Sequence, residues 1–249
     1  MSDFNRGLSQ PTSVVTDMGV DAGLRAFMLG VYNKVGLGLV LSAALAWVTG
    51  TYEPVQRLLF TVDAASGRLS YTILGMVVAF APLVILLTQM FMRRTSPQAA
   101  AVTYWAIVSL IGASFGLLFI IYSNVSIFQT FLVTAAAFGG LSLVGYTTKR
   151  DLTAMGSFLI MGLWGLIFAM LASIFFHSPA LVFAINLIGV LIFAGLIAWD
   201  TQRLKIMYHQ IGGDTAAMSV ATSYGALSLY LDFVNLFRFL LYFMGGARR

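Results

Sequence analysis

Six polar side chains recur along one apolar stretch near the C-terminus: Tyr224, Ser228, Asp232, Asn235, Arg238 and Tyr242. Their steps of four, four, three, three and four residues keep them on one helix face, a continuous polar stripe on an otherwise apolar helix. The stretch is long enough to cross a bilayer. An ionisable group at the bilayer centre costs roughly 3 kcal/mol on insertion scales unless it faces protein or water. The stripe is therefore expected to line the interior of a bundle. A carboxylate, an amide, a hydroxyl and a guanidinium placed there can bind a cation, hold a proton or lock helices together.

A second carboxylate has the means to reach the first. Asp200 ends the apolar run 187–199, and the seven acidic residues other than Asp200 and Asp232 fall in the tail or in loops. If the helix continues through Ile206 and Met207, Tyr208 stands eight residues past Asp200, as Tyr224 stands eight before Asp232. Should both tyrosines mark one interfacial belt, the carboxyls lie at equal depth, roughly 12 Å in at 1.5 Å per residue. A helix ending at Arg203 would leave Asp200 shallower and the pairing looser. Two carboxylates at close range cannot both ionise cheaply, so such a pair holds a proton through some range of pH. Proton sensing, cation binding, acid–base chemistry and a purely structural lock all remain open on these residues alone.

The elements that must position them are transmembrane helices. Of 249 residues, 59% are apolar and 9% charged, against about 25% charged in a soluble domain. The fold class expected is all-α: a polytopic membrane protein of seven spans with the C-terminal helix central. The spans are drawn at 27–50, 71–91, 101–122, 125–147, 157–176, 180–207 and 220–244, behind a polar tail over 1–26. Most reach the ~20 residues that cross the hydrocarbon layer. Arg25, Lys34 and the apolar run up to Ala44-Leu-Ala46 mimic a signal peptide, but the acidic tail and the continuation through Trp47 argue against cleavage. Pro82 is expected to kink the second span. The short turns at 122–125 and 177–180 predict antiparallel hairpins of spans three with four and five with six. Gly112, Gly116, Gly139, Gly140, Gly162 and Gly165 are expected to let helices approach closely. With seven spans, nine Lys and Arg fall on the side of the N-terminal tail and four on the other, which predicts a cytoplasmic N-terminus and an external C-terminus. Six spans with a re-entrant last segment would put both ends inside.

Several chemistries are set aside. The chain has no cysteine, which excludes disulfides, thiolate nucleophiles and Cys-ligated metals. The net charge of +5 is scattered in pairs between apolar runs, so no nucleic-acid partner is expected. Gly112-Ala-Ser-Phe-Gly116 fits a hydrolase pattern, yet it lies in an apolar helix, with the two histidines, His177 and His209, expected in loops. The paired aspartates invite comparison with diaspartyl intramembrane proteases, but Tyr230 and Leu231 precede Asp232 where such enzymes carry glycines. Pro179-Ala-Leu181 also lies before both aspartates rather than after them. Gly212-Gly213 is read as a flexible turn, and no phosphate-loop Lys follows. No enzyme activity and no tightly bound cofactor are expected.

The segment Ala226-Leu-Ser-Leu-Tyr-Leu-Asp-Phe-Val-Asn-Leu-Phe237 closely resembles the last-helix signature of the Bax-inhibitor (transmembrane Bax-inhibitor-motif) family. Trp199-Asp200 looks like that family's other aspartate, and Met92-Arg93-Arg94 like its basic latch. The layout matches over essentially the whole chain. The resemblance implies a calcium-leak channel with six helices around the seventh. Its pH-sensitive pair would be Asp200 and Asp232, near the cytoplasmic side, exchanging between a shared proton and an ionic contact with Arg93. Ser228, Asn235 and Arg238 would support it along the stripe. Calcium would be the transported ion, held weakly and transiently by Asp200 and Asp232. The resemblance also implies a bacterial inner-membrane protein, with lipid, calcium and protons as its partners; the closed seven-span bundle predicts a monomer, although exposed glycine faces could permit more.

One departure bears on conduction. Many relatives carry a basic residue near the outer end of this helix, where this chain has Tyr242, and the cation here is Arg238, one turn earlier. Arg238 is read first as structural, bonded to a carbonyl; the alternative puts it on the path, paired with a carboxylate or raising the barrier to cations, where it would weaken conduction or abolish it. The other reading is a non-conducting interaction protein that modulates a membrane-anchored protease through its N-terminal tail. Deleting the tail separates the two: a channel still leaks, whereas a modulator loses its effect on proteolysis. A third is a stress protein without conduction.

Overall fold

The computed structural model describes residues 22–62, 69–91, 95–176, 178–211 and 213–246. Most of the polar tail, Arg93 and Arg94 of the expected latch, His177 and Gly212 lie outside the described residues. The order of elements is α1 (Ala22–Thr51), α2 (Glu53–Leu59), β1 (Phe60–Val62), β2 (Leu69–Tyr71), α3 (Ile73–Phe91), α4 (Pro97–Ser114), α5 (Gly116–Ile121), α6 (Asn124–Thr147), α7 (Thr153–Phe175), α8 (Pro179–Ile211) and α9 (Thr215–Met244).

Among the described residues, six helices are long and apolar enough to cross a membrane: α1, α4 with α5, α6, α7, α8 and α9. The expected second span is α3, a shorter apolar helix that holds Pro82 inside its run. The expected third span is broken at Phe115, whose N–H is shared between the carbonyls of Ile111 and Gly112. The segment between α1 and α3 folds into α2 and a two-stranded antiparallel hairpin with Phe60 opposite Tyr71.

Local sequence sets several boundaries. Ser96 caps α4 by accepting from the Ala99 amide, with Pro97 at the first turn, where a missing N–H costs nothing. Ser123 caps α6 through the Ser126 amide. Gly213 takes a positive φ of 89°, and Asp214 then accepts from the amides of Ala216 and Ala217 to start α9.

Helix α9 packs against α1, α4, α6 and α8, and its apolar window is 56% buried, against 33% for α8 and less for the other candidate spans. Two cores share it. One gathers Leu24, Phe27, Val31, Tyr104, Leu229 and Tyr230 from α1, α4 and α9. The other gathers Leu159, Ile192, Phe193, Leu236 and Phe239 from α7, α8 and α9. Elsewhere the outer faces carry exposed rings such as Phe80, Phe158 and Phe175, as lipid-facing helices do.

Some packing differs from expectation. The tight turn at 122–123 joins helices with different principal partners: α5 lies on α1, whereas α6 lies on α8 and α9. Gly112 and Gly116 do make close approaches, to Ser42 of α1 and to the backbone of Gly50. Gly139, Gly140 and Gly165 face open space, because they sit on exposed faces of α6 and α7. The close approaches on those helices are at Gly145, against the Ala198 backbone, Gly156, against the Trp199 indole, and, as expected from the sequence, Gly162, against the Ile192 side chain. His209 is in the last turn of α8 rather than in a loop.

Candidate functional site

Two helices and one turn build the site. Helix α8 is unbroken through Tyr208 to Ile211, so Asp200 stands more than two turns from its end. Helix α9 packs along α8, and among the described residues this pair of helices is the most extensively packed. Asp200 and Asp232 are 4% and 5% exposed, and the two carboxyls face each other across the α8–α9 contact.

Ser228, one turn before Asp232, donates its hydroxyl to Asp200 Oδ2. Asp200 Oδ1 lies 3.6 Å from Arg203 Nη1, three residues along the same helix. Arg203 is held over the Trp199 ring, 5.0 Å from its centre, and keeps 44% of its side chain exposed. Asp200 Oδ1 and Asp232 Oδ2 are buried without a hydrogen-bond partner among the described groups. Burial of two carboxyl groups with one guanidinium nearby is costly unless a proton or cation joins them. The two bare oxygens are where such a proton or ion would be received. Beyond the pair, no third acidic or histidine residue joins them in a metal-holding cluster among the described residues. Two carboxyls and a hydroxyl fall well short of the six to eight oxygens calcium prefers.

The rest of the stripe spreads over different neighbours. Tyr224 donates to Gln89 Oε1 of α3 at 2.5 Å and lies 3.3 Å from Thr95 Oγ1. The Asn235 amide donates to Leu231 O of its own helix at 2.8 Å, so that group is already committed. Arg238 keeps open surface and faces Tyr71 and Tyr122, towards the hairpin end of the bundle. Tyr242 is exposed.

Sequence reasoning missed three participants. Arg203 had a signal, the i, i+3 spacing from Asp200 that puts both on one helix face. Gln89 and Lys34 had none in the pattern. Lys34 Nζ donates to Ser223 Oγ of α9 at 2.7 Å, and its carbonyl accepts from Tyr104 at 2.5 Å. Beside the pair, Gln202 clamps the α6–α7 loop to α8, donating to Arg150 O and accepting from the Leu152 amide, each at 2.8 Å.

Comparison with known proteins places the chain in a family. The family model described as "Inhibitor of apoptosis-promoting Bax1" matches residues 24–249. An uncharacterized protein of Caulobacter vibrioides is 61% identical over the full length of both chains. One of Rickettsia prowazekii is 41% identical, also over the full length of both. The Escherichia coli protein named inner membrane protein YbhL is 41% identical over 91% of this chain and 94% of its own. With its apolar spanning helices and these full-length likenesses, the chain is a multi-pass integral membrane protein that belongs to the Bax inhibitor family.

Proposed function

We propose that the protein is a proton-gated leak pathway for cations, calcium above all, across the bacterial cytoplasmic membrane, built as seven spans around α9. The observation that carries this reading is the pair of buried carboxyls, Asp200 and Asp232, each with an oxygen that no described donor satisfies. With both ionised, two negative charges have one guanidinium beside them, Arg203, 3.6 Å from Asp200, and the excess charge attracts cations. The ligand set is too sparse for a tight calcium cage, which suits an ion that must leave again.

Gating follows from the same carboxyls. Ionised Asp200 pairs with Arg93, two residues past α3 in the sequence, and draws α3 against α8, closing the inner mouth. Protonation of Asp200 removes that attraction, so leak rises as pH falls. One observation supports a movable α3: its principal partners are α2 and α4, so α8 does not hold it. The Tyr224–Gln89 hydrogen bond, near the end from which Arg93 follows, is a tie to α9 that such a movement breaks. Arg238, towards the hairpin end, raises the barrier to cations and keeps the leak slow. The test is calcium flux into liposomes bearing the purified protein, measured against pH beside Asp232→Asn.

A further inference from the structure

We propose that the buried face of α6 is one wall of the cation path between the carboxyl pair and the hairpin end of the bundle, with Phe138 as its constriction. This assignment rests on the leak reading above and names the residues that carry the ion onward. The buried residues of α6 are Ser126, Thr130, Thr134, Ser142 and Gly145. Its large apolar residues, Phe128, Leu132 and Leu143 among them, are on the exposed side. The four hydroxyls fall at steps of four, four and eight residues, which keeps them on one helix face. Helix α6 packs on α8 and α9, the two helices that carry the carboxyls. Gly145 meets the backbone of Ala198, two residues before Asp200, so the row begins near the depth of the pair. Tyr32 of α1 faces both Ser142 and Thr201, the residue after Asp200. At the other end, Ser126 Oγ accepts from the Gly246 amide at 3.0 Å, just past α9.

Small residues also let helices pack closely in a membrane, and Thr134 fits that role, since its hydroxyl returns to Thr130 O of its own helix at 2.7 Å. Thr130 and Ser142 behave differently. They are 0% and 5% exposed, and their hydroxyls have no hydrogen-bond partner among the described groups. Burying an unpaired hydroxyl is unfavourable, and a turn back to the carbonyl one helical turn earlier would satisfy it. Hydroxyls aimed away from their own helix are suited to water or an ion passing between helices. Phe138 takes the one place in the series 126, 130, 134, 138, 142 without a hydroxyl. Its ring centre lies 5.6 Å from that of Phe233, the neighbour of Asp232, and 6.4 Å from that of Tyr32. It packs against both cores. An apolar constriction of this kind gates by excluding water, so a cation leaving the pair meets these rings before the outer hydroxyls.

The chain has no cysteine, so single cysteines report water along α6. The test measures their modification by a trimethylammonium methanethiosulfonate in liposomes, with calcium flux read from the same preparations. At one pH, Thr130→Cys and Thr134→Cys are expected to react several-fold faster than Leu132→Cys on the exposed side. Phe138→Ser is expected to raise calcium flux at neutral pH several-fold, and Leu132→Ser to leave it unchanged. If Phe138→Ser does not fold, Thr130→Val, nearly the same shape, is expected to lower flux several-fold without lowering Tm, a split that a packing role does not produce. Modification of Thr130→Cys and Thr134→Cys as slow as that of Leu132→Cys, with flux intact, would overturn the proposal and leave the leak reading standing. Fast modification with flux indifferent to Phe138→Ser and Thr130→Val would also overturn it, making the α6 face a wet crevice off the path. Absence of flux in every variant at neutral and acid pH would instead overturn the leak reading, and the path with it.

Discussion

The hydroxyl of Ser228 donates to Asp200 Oδ2 and ties α9 to α8 one helical turn from Asp232. This bond is the one direct donor that the buried pair receives from a neighbouring helix among the described residues. Ser228→Ala leaves an additional buried carboxyl oxygen without a donor, a loss of about 1–3 kcal/mol. A lower Tm in detergent is expected for Ser228→Ala, with Ser228→Thr, which keeps a hydroxyl, close to the unaltered protein.

Arg203 is the cation nearest Asp200 among the described residues. Its loss makes the state with both carboxyls ionised more costly, since two like charges then face each other without it. Arg203→Gln is therefore expected to let acid-stimulated calcium flux persist to higher pH. Lys205→Gln is the control, because Lys205 Nζ donates to Tyr146 O at 2.8 Å and not to the pair. Equal pH profiles for Arg203→Gln and the unaltered protein would show that Arg203 plays no part in the titration.

Trp199 fills the space that a side chain at Gly156 would need, and the same indole holds Arg203 beside Asp200. Gly156→Val is expected to overpack the α7–α8 contact and cost about 1–3 kcal/mol, read as a drop in Tm. Gly165→Ala, one helix face away and open on all sides, is expected to stay within about 0.5 kcal/mol of the unaltered protein.

Outside the spans, hydrogen bonds from the Thr153 hydroxyl at 2.6 Å and the Thr153 amide at 2.8 Å hold the Asp151 carboxyl below the usual carboxylate range. A carboxyl lowered in the folded state contributes above its unfolded value and loses that contribution as pH falls through its folded one. Protection of the Thr153 amide, its exchange rate divided into the intrinsic rate at the same pH, is therefore expected to be present at neutral pH and to fall as pH drops below the ordinary carboxylate range. Asp151→Asn should remove most of that pH dependence.

Much of this was legible from the residues because helix periodicity and bilayer length are strong constraints. The polar stripe located Asp232, and the matched eight-residue offsets of Tyr208 and Tyr224 located Asp200 against it, given a helix that runs on to Tyr208. The structure supplies that continuity. The direction of each remaining stripe residue was not legible. A three- or four-residue step places side chains on one face only approximately, and Tyr224, Asn235 and Arg238 meet three different surroundings along α9. Glycines misled for a related reason. Composition names small residues, but only the packing partner decides whether they are used, and Gly145 and Gly156 are while Gly139 and Gly140 are not. Tertiary ties such as Lys34 to Ser223, 189 positions apart, leave no local pattern at all.

The most direct test of the central claim is calcium flux into liposomes bearing the purified protein, at neutral and acid pH, beside Asp232→Asn. A leak through the Asp200–Asp232 site predicts flux that rises at acid pH in the unaltered protein and loses its pH dependence in Asp232→Asn. Flux no greater than in empty liposomes at either pH would contradict it and leave the carboxyl pair as a structural lock between α8 and α9.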